Sequence, residues 1–152
     1  MPEYVIFPGD VTNSREVKTA GWDKGGIYLT VRPTFLVYSN TENRYWLSRS
    51  NADHLPKILA HQCGPFSLPR NLEEYEKAPK EWPHVLRVVP AGSKLRFDQA
   101  YNFGFPYGGE LAGRTVRGTL FGSDEATVTL TCIAIADTQT NQWRRDENWL
   151  RK

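Results

Sequence analysis

The sequence predicts a mainly β protein: a small antiparallel barrel or sandwich, SH3-like or similar, with one or two short helices in an insertion at about 50–84. Three observations carry this reading. Runs rich in β-branched and aromatic residues recur along the chain, punctuated by ten prolines and twelve glycines. Apolar and polar residues alternate strictly from Ser93 to Ala100, with Leu95 and Phe97 on one face and Lys94, Arg96 and Asp98 on the other. Two further strand patterns flank the turn sequence Gly122-Ser123-Asp124-Glu125. With 152 residues, 39% of them hydrophobic and 24% charged, the chain has the size and balance of one globular domain, 1–152.

Taken in order, Tyr4 to Phe7 reads as a short strand stopped by the turn signal Pro8-Gly9-Asp10, and residues 11–26 as loop. Ile27 to Ser39 is strand-forming but interrupted by Pro33. Proline donates no ladder hydrogen bond, so two short strands or one bent strand are expected. Asn40 to Asn43 reads as a hairpin loop and Arg44 to Arg49 as the returning strand. In the insertion, Leu55, Ile58 and Leu59 have helical spacing and Ser50 with Asp53 resembles a capping box. Asn71 to Lys77 is a cleaner helix, capped by Asn71, acidic in its first turn and stopped by Pro79. Val85 to Val89 is a strand. Val89-Pro90-Ala91-Gly92 matches a type I turn. Glu110 to Phe121 is a strand softened by Gly113 and Gly118. Ala126 to Ala136 reads as the strongest strand, covered on both faces near its end by Ile133 and Ile135. Trp143 to Lys152 reads as a short amphipathic helix.

Charge excludes one class of partner. A surplus of only +2, from 19 basic and 17 acidic residues, gives no footprint for nucleic acid. No apolar run has the length of a transmembrane segment. The first residues, Met1-Pro2-Glu3-Tyr4-Val5, lack the basic and apolar regions of a signal peptide. The compartment therefore reads as periplasm or envelope if a signal precedes Pro2 in the native gene, and as cytoplasm otherwise.

Chemistry-bearing motifs are few. The chain has no G-x-S-x-G, P-loop or G-x-G-x-x-G sequence. His54, His61, Cys63 and His84 offer ligands or a Cys–His pair, but the second ligand pair of a structural zinc site is missing, and Cys63-Gly64-Pro65 is no nucleophile elbow. No metal and no cofactor are expected. Cys132 reads as a small buried hydrophobe, with a bridge to Cys63 as the alternative in an oxidising compartment. Asp10, Glu42, Asp98, Glu110 and Asp124 fall at turns or on polar strand faces, where turn chemistry accounts for them.

The best binding candidate is Tyr101 to Gly109, where aromatics interleave with glycines. Tyr101, Phe103, Phe105 and Tyr107 offer flat faces for a sugar or peptide, while the glycines let backbone approach a ligand. The competing structural reading folds these aromatics back as a plug over an open barrel end.

Gly26 to Val37 and Val88 to Phe97 resemble small β-barrel domains of poorly characterised bacterial envelope lipoproteins. In those domains a sequence V-x-x-G-T-x-L forms a hairpin that opens the second half; here Ser93 stands at the threonine position. The resemblance implies an envelope setting and no catalytic residues. The expected function is a non-enzymatic binding or accessory module with a protein or glycan partner. Alternatives are an immunity or inhibitor protein that caps a partner enzyme, and a hydrolase using Cys63 with a nearby histidine.

Overall fold

The computed structural model of the chain describes residues 8–40, 43–50, 53, 68–103, 114–122, 127–136 and 143–152. The fold is mainly β, as the sequence predicts. Nine strands form one sheet: β1 (Pro8–Asp10), β2 (Ile27–Thr30), β3 (Thr34–Ser39), β4 (Arg44–Ser48), β5 (Val85–Val89), β6 (Lys94–Phe103), β7 (Arg114–Leu120), β8 (Thr127–Thr129) and β9 (Leu150–Arg151). Their order is β5-β3-β4-β8-β7-β6-β2-β9, with β1 beside β2 along the far half of β6. The sheet is not a closed barrel, since β5 and β9 are its two ends. Nor is it wholly antiparallel, because β4 and β8 pair in parallel at Trp46 and Thr129.

Side-chain parity explains the core. Inward positions of the strands (Tyr28, Leu36, Leu47, Val89, Leu95, Phe97, Val116, Leu120, Val128 and Leu150) belong to one buried cluster. Trp22, from the loop before β2, fills it with ring centroids 5.0 Å from Tyr28 and 5.2 Å from Phe97. Its indole N–H donates to the Trp143 carbonyl at 2.8 Å, so this large apolar ring is buried with its polar atom satisfied. The opposite face of β3 is buried as well. Phe35 and Val37 pack with Leu68 and Val85 beneath α2 (Leu72–Lys77), which contributes Leu72 and Tyr75. Asn71 caps α2 as its sequence predicts, accepting from the Glu74 N–H at 2.8 Å.

Pro33 separates β2 from β3, and β3 pairs with β4 as a hairpin with Ser39 opposite Arg44. β7 and β8 pair in antiparallel fashion around Gly122, which has φ 76°, as the two flanking strand patterns imply.

Other expectations are corrected. Pro8–Asp10 is strand β1 rather than a turn, because β6 is long enough to pair with both β2 and β1. The 11–26 segment holds a helix, α1 (Arg15–Thr19), capped by Ser14. Trp143 to Lys152 is no helix; it forms a bridge to Ile135 and then β9, and both Trp143 and Trp149 are buried. β5 and β6 do not pair across Val89-Pro90-Ala91-Gly92. Thr30 of β2 holds that turn instead, accepting from the Gly92 N–H at 2.7 Å and donating through its hydroxyl to the Pro90 carbonyl at 3.0 Å.

The largest correction concerns Ala126–Ala136. Among its described residues Thr127–Thr129 is strand, and Thr131–Ala134 makes one turn of helix, α3. All four α3 residues are buried, so apolar residues face every direction and no periodicity separates helix from strand. The switch is fixed at β7. The Val116 carbonyl accepts from the Leu130 N–H at 2.6 Å, and the Val116 N–H donates to the Thr131 hydroxyl at 2.9 Å. Both ladder groups of Val116 are then satisfied, and the chain is free to coil. Tyr4 to Phe7, the 54–59 helix and the loop beyond Phe103 lie outside the described residues.

Gly118 marks the tightest approach in the sheet. A β-carbon there would lie 2.4 Å from the Arg96 carbonyl oxygen and 2.7 Å from Leu130 Cδ1. Because one of these is backbone, Gly118→Ala is expected to cost about 1–3 kcal/mol, read as a lower urea midpoint at an unchanged slope. An unchanged midpoint would mean that β6 and β7 separate freely at this point.

Candidate functional site

The aromatic loop is only partly described. Tyr101 lies on β6 with its side chain half-buried on the outer face of the sheet, opposite the buried Ala100. Its hydroxyl donates to the Gln99 side chain, and the Arg117 guanidinium lies 5.6 Å from its ring centre. The Phe103 backbone closes β6 against Pro8. The Phe103 side chain, Phe105 and Tyr107 lie outside the described residues, as do His54, His61 and Cys63.

Arg117 connects Tyr101 to a feature the sequence does not announce. Across neighbouring strands, Gln99 pairs with Arg117, Arg117 with Thr129, and Thr129 with Trp46. Strand alternation puts all four side chains on the outer face, the inner face of the same strands being Val116, Val128 and Leu47. The Arg44 guanidinium lies 5.7 Å from the Trp46 ring centre. The outer face thus carries a row of aromatic rings, guanidiniums and hydroxyls across β4, β8, β7 and β6, with Trp46 and Thr129 buried within it. A groove of about 370 Å³ opens where β4 meets β8 and β7, lined by Asn43, Arg44, Tyr45, Arg117, Thr127 and Thr129; Trp46 and Tyr101 lie outside its lining. That volume falls in the range of small-molecule clefts, roughly 300–1,000 Å³.

Two polar atoms in this row have no partner. The Thr129 hydroxyl and the Trp46 indole N–H are both buried without a hydrogen bond. Leaving such a group unpaired costs about 1–3 kcal/mol, which makes each one a place where a ligand has something to gain.

The expected turn carboxylates that are described are occupied within the fold. Asp10 accepts from the Thr12 N–H and hydroxyl, and these bonds hold its pKa below the usual carboxylate value. Asp98 takes the Arg96 guanidinium at 2.6 Å and the Thr119 hydroxyl at 2.6 Å. That pairing raises the pKa of Arg96. No group of three or more metal-ligating residues occurs among the described residues. His84 packs its ring 6.4 Å from Trp82.

A second, smaller cleft of about 190 Å³ lies where Trp149 meets β3 and β5. It is mainly apolar, lined by Phe35, Leu72, Val88 and Trp149, with the unpaired Thr34 hydroxyl as a polar point.

Cys132 is disulfide-bonded, and no cysteine among the described residues is free. Cys63, the other cysteine of the sequence, lies outside the described residues. The small-hydrophobe reading of Cys132 is right about burial and incomplete about chemistry. A sulfur held in a bridge is no nucleophile, so a bridge from Cys132 to Cys63 would have to be reduced before Cys63 could act in a hydrolase.

No known protein family, curated protein or solved structure matches this chain.

Proposed function

We propose that the protein is a non-enzymatic binding module whose outer-face row, from Tyr101 to Trp46, takes a glycan. The observation that carries this reading is the unpaired Thr129 hydroxyl of the groove lining, beside the Tyr45 ring and the Arg44 and Arg117 guanidiniums. Sugars present apolar faces that stack on rings and hydroxyls that satisfy stranded donors and acceptors, so one ligand class uses both features. The Cys132 bridge favours an oxidising setting such as the cell envelope, because disulfides persist there and are rare in cytosol.

The test is Thr129→Val. Its hydroxyl has no partner to lose, so the variant is expected to match or exceed the wild-type melting temperature. Its retardation in affinity gels cast with envelope or cell-wall polysaccharides is expected to fall. A clear loss of stability would show that the hydroxyl is used within the fold, removing the main support. Capture of a protein partner without any polysaccharide retardation would replace the glycan by a protein ligand.

A further inference from the structure

We propose that the ligand of the outer-face groove is acidic: a sugar carrying a carboxylate, held by Arg117. The inference rests on the glycan reading above and adds the charge of the ligand to it.

The groove is bounded by guanidiniums on two strands, Arg44 of β4 and Arg117 of β7, with β8 between them. None of its described lining residues is acidic. Three described arginines meet carboxylates, Arg49 with Asp146, Arg96 with Asp98 and Arg145 with Glu147, while Arg32 lies over the Trp149 ring instead. Arg117 makes no ion pair with a described residue; its contact is the face of Tyr101. A guanidinium held near a ring face keeps its in-plane N–H fork for another partner, and that fork matches the two oxygens of a carboxylate.

The other polar groups around the groove are donors or hydroxyls. The Asn43 side-chain oxygen already accepts from the Tyr38 hydroxyl, which leaves its NH₂ as the available end. The Thr129 hydroxyl of the lining is unpaired. A neutral sugar would use the hydroxyl and the rings but leave the charge of Arg117 unanswered. A uronic acid unit answers both.

The experiment compares polygalacturonate with a neutral glucan, using wild type and Arg117→Gln, by calorimetry at low and moderate salt. The expected result is binding of polygalacturonate at least about tenfold tighter than of glucan. That preference should shrink as salt rises and be lost in Arg117→Gln at an unchanged melting temperature. Equal binding of the two polymers overturns the acidic ligand and leaves the glycan reading standing. Binding of neither overturns both. Polygalacturonate binding that survives Arg117→Gln, or is matched by polyglutamate, overturns the assignment to this groove or to a sugar.

Discussion

Replacing Arg49 by alanine is expected to destabilise the protein by roughly 3–5 kcal/mol, one of the two largest effects predicted for a single side chain here. Arg49 follows β4 and is only 3% exposed. Its Nε donates to the Cys132 carbonyl at 2.6 Å, and its Nη2 donates to Asp146 at 2.5 Å and reaches the Ile135 carbonyl at 3.5 Å. The guanidinium also lies 5.1 Å from the Trp149 ring centre. Burial pushes the Arg49 pKa down and Asp146 opposes that shift. Arginine nevertheless stays charged in proteins, so the site holds a true buried ion pair. Removing the cation strands the Asp146 carboxylate and the Cys132 carbonyl in a dry environment, and that stranding is the origin of the cost. The measurement is chemical denaturation of Arg49→Ala beside the double variant Arg49→Met, Asp146→Leu. The double variant should recover much of the loss, because replacing both ions by apolar groups removes the desolvation term. A loss below about 1 kcal/mol for Arg49→Ala would place the pair in solvent.

That network shows why part of the fold was legible and part was not. Elements set by local chemistry could be read directly. Pro33 breaks β2 from β3, Asn71 caps α2, and the alternation of Leu95 and Phe97 marks β6. Elements set by distant partners could not. β1 reads as a turn until β6 supplies its ladder, and α3 reads as a strand because burial on every side erases the period. The turn before β6 reads as a hairpin, but Thr30, 60 positions from Pro90, occupies its hydrogen bonds. Asp146 lies 97 positions from Arg49, and nothing near either residue announces the pair.

The candidate site divides the same way. Tyr101 was legible because an aromatic beside a glycine-rich run is unusual. Arg117, Thr129 and Trp46 were not. On their own strands they read as an ordinary polar face, and only the pairing of β4, β8, β7 and β6 sets them side by side. The unpaired state of the Thr129 hydroxyl and Trp46 N–H depends on that packing and leaves no trace in the sequence.

Breaking the disulfide is the second large effect. A bridge between Cys63 and Cys132 closes a loop of about 70 residues, for which chain entropy gives a stabilisation of about 4 kcal/mol. For a domain of this size that corresponds to a fall of roughly 10 °C in melting temperature on reduction. The bridge also ends at the most heavily bonded point of the fold. The Cys132 sulfur lies 3.5 Å from the Arg49 N–H and 3.6 Å from the Ser48 hydroxyl, and its carbonyl takes the Arg49 side chain. Loosening α3 therefore loosens the buried ion pair, so the two losses should not add. The measurement is thermal unfolding of wild type with and without dithiothreitol, and of Cys63→Ala, which leaves Cys132 in place as a thiol. Reduced wild type and Cys63→Ala should melt together, well below the oxidised protein. Arg49→Ala should then cost less in the Cys63→Ala background than in the oxidised wild type. Equal melting of oxidised and reduced protein would mean that the packing around Cys132 holds without the bridge, and full additivity would mean that α3 keeps its place when the sulfurs part.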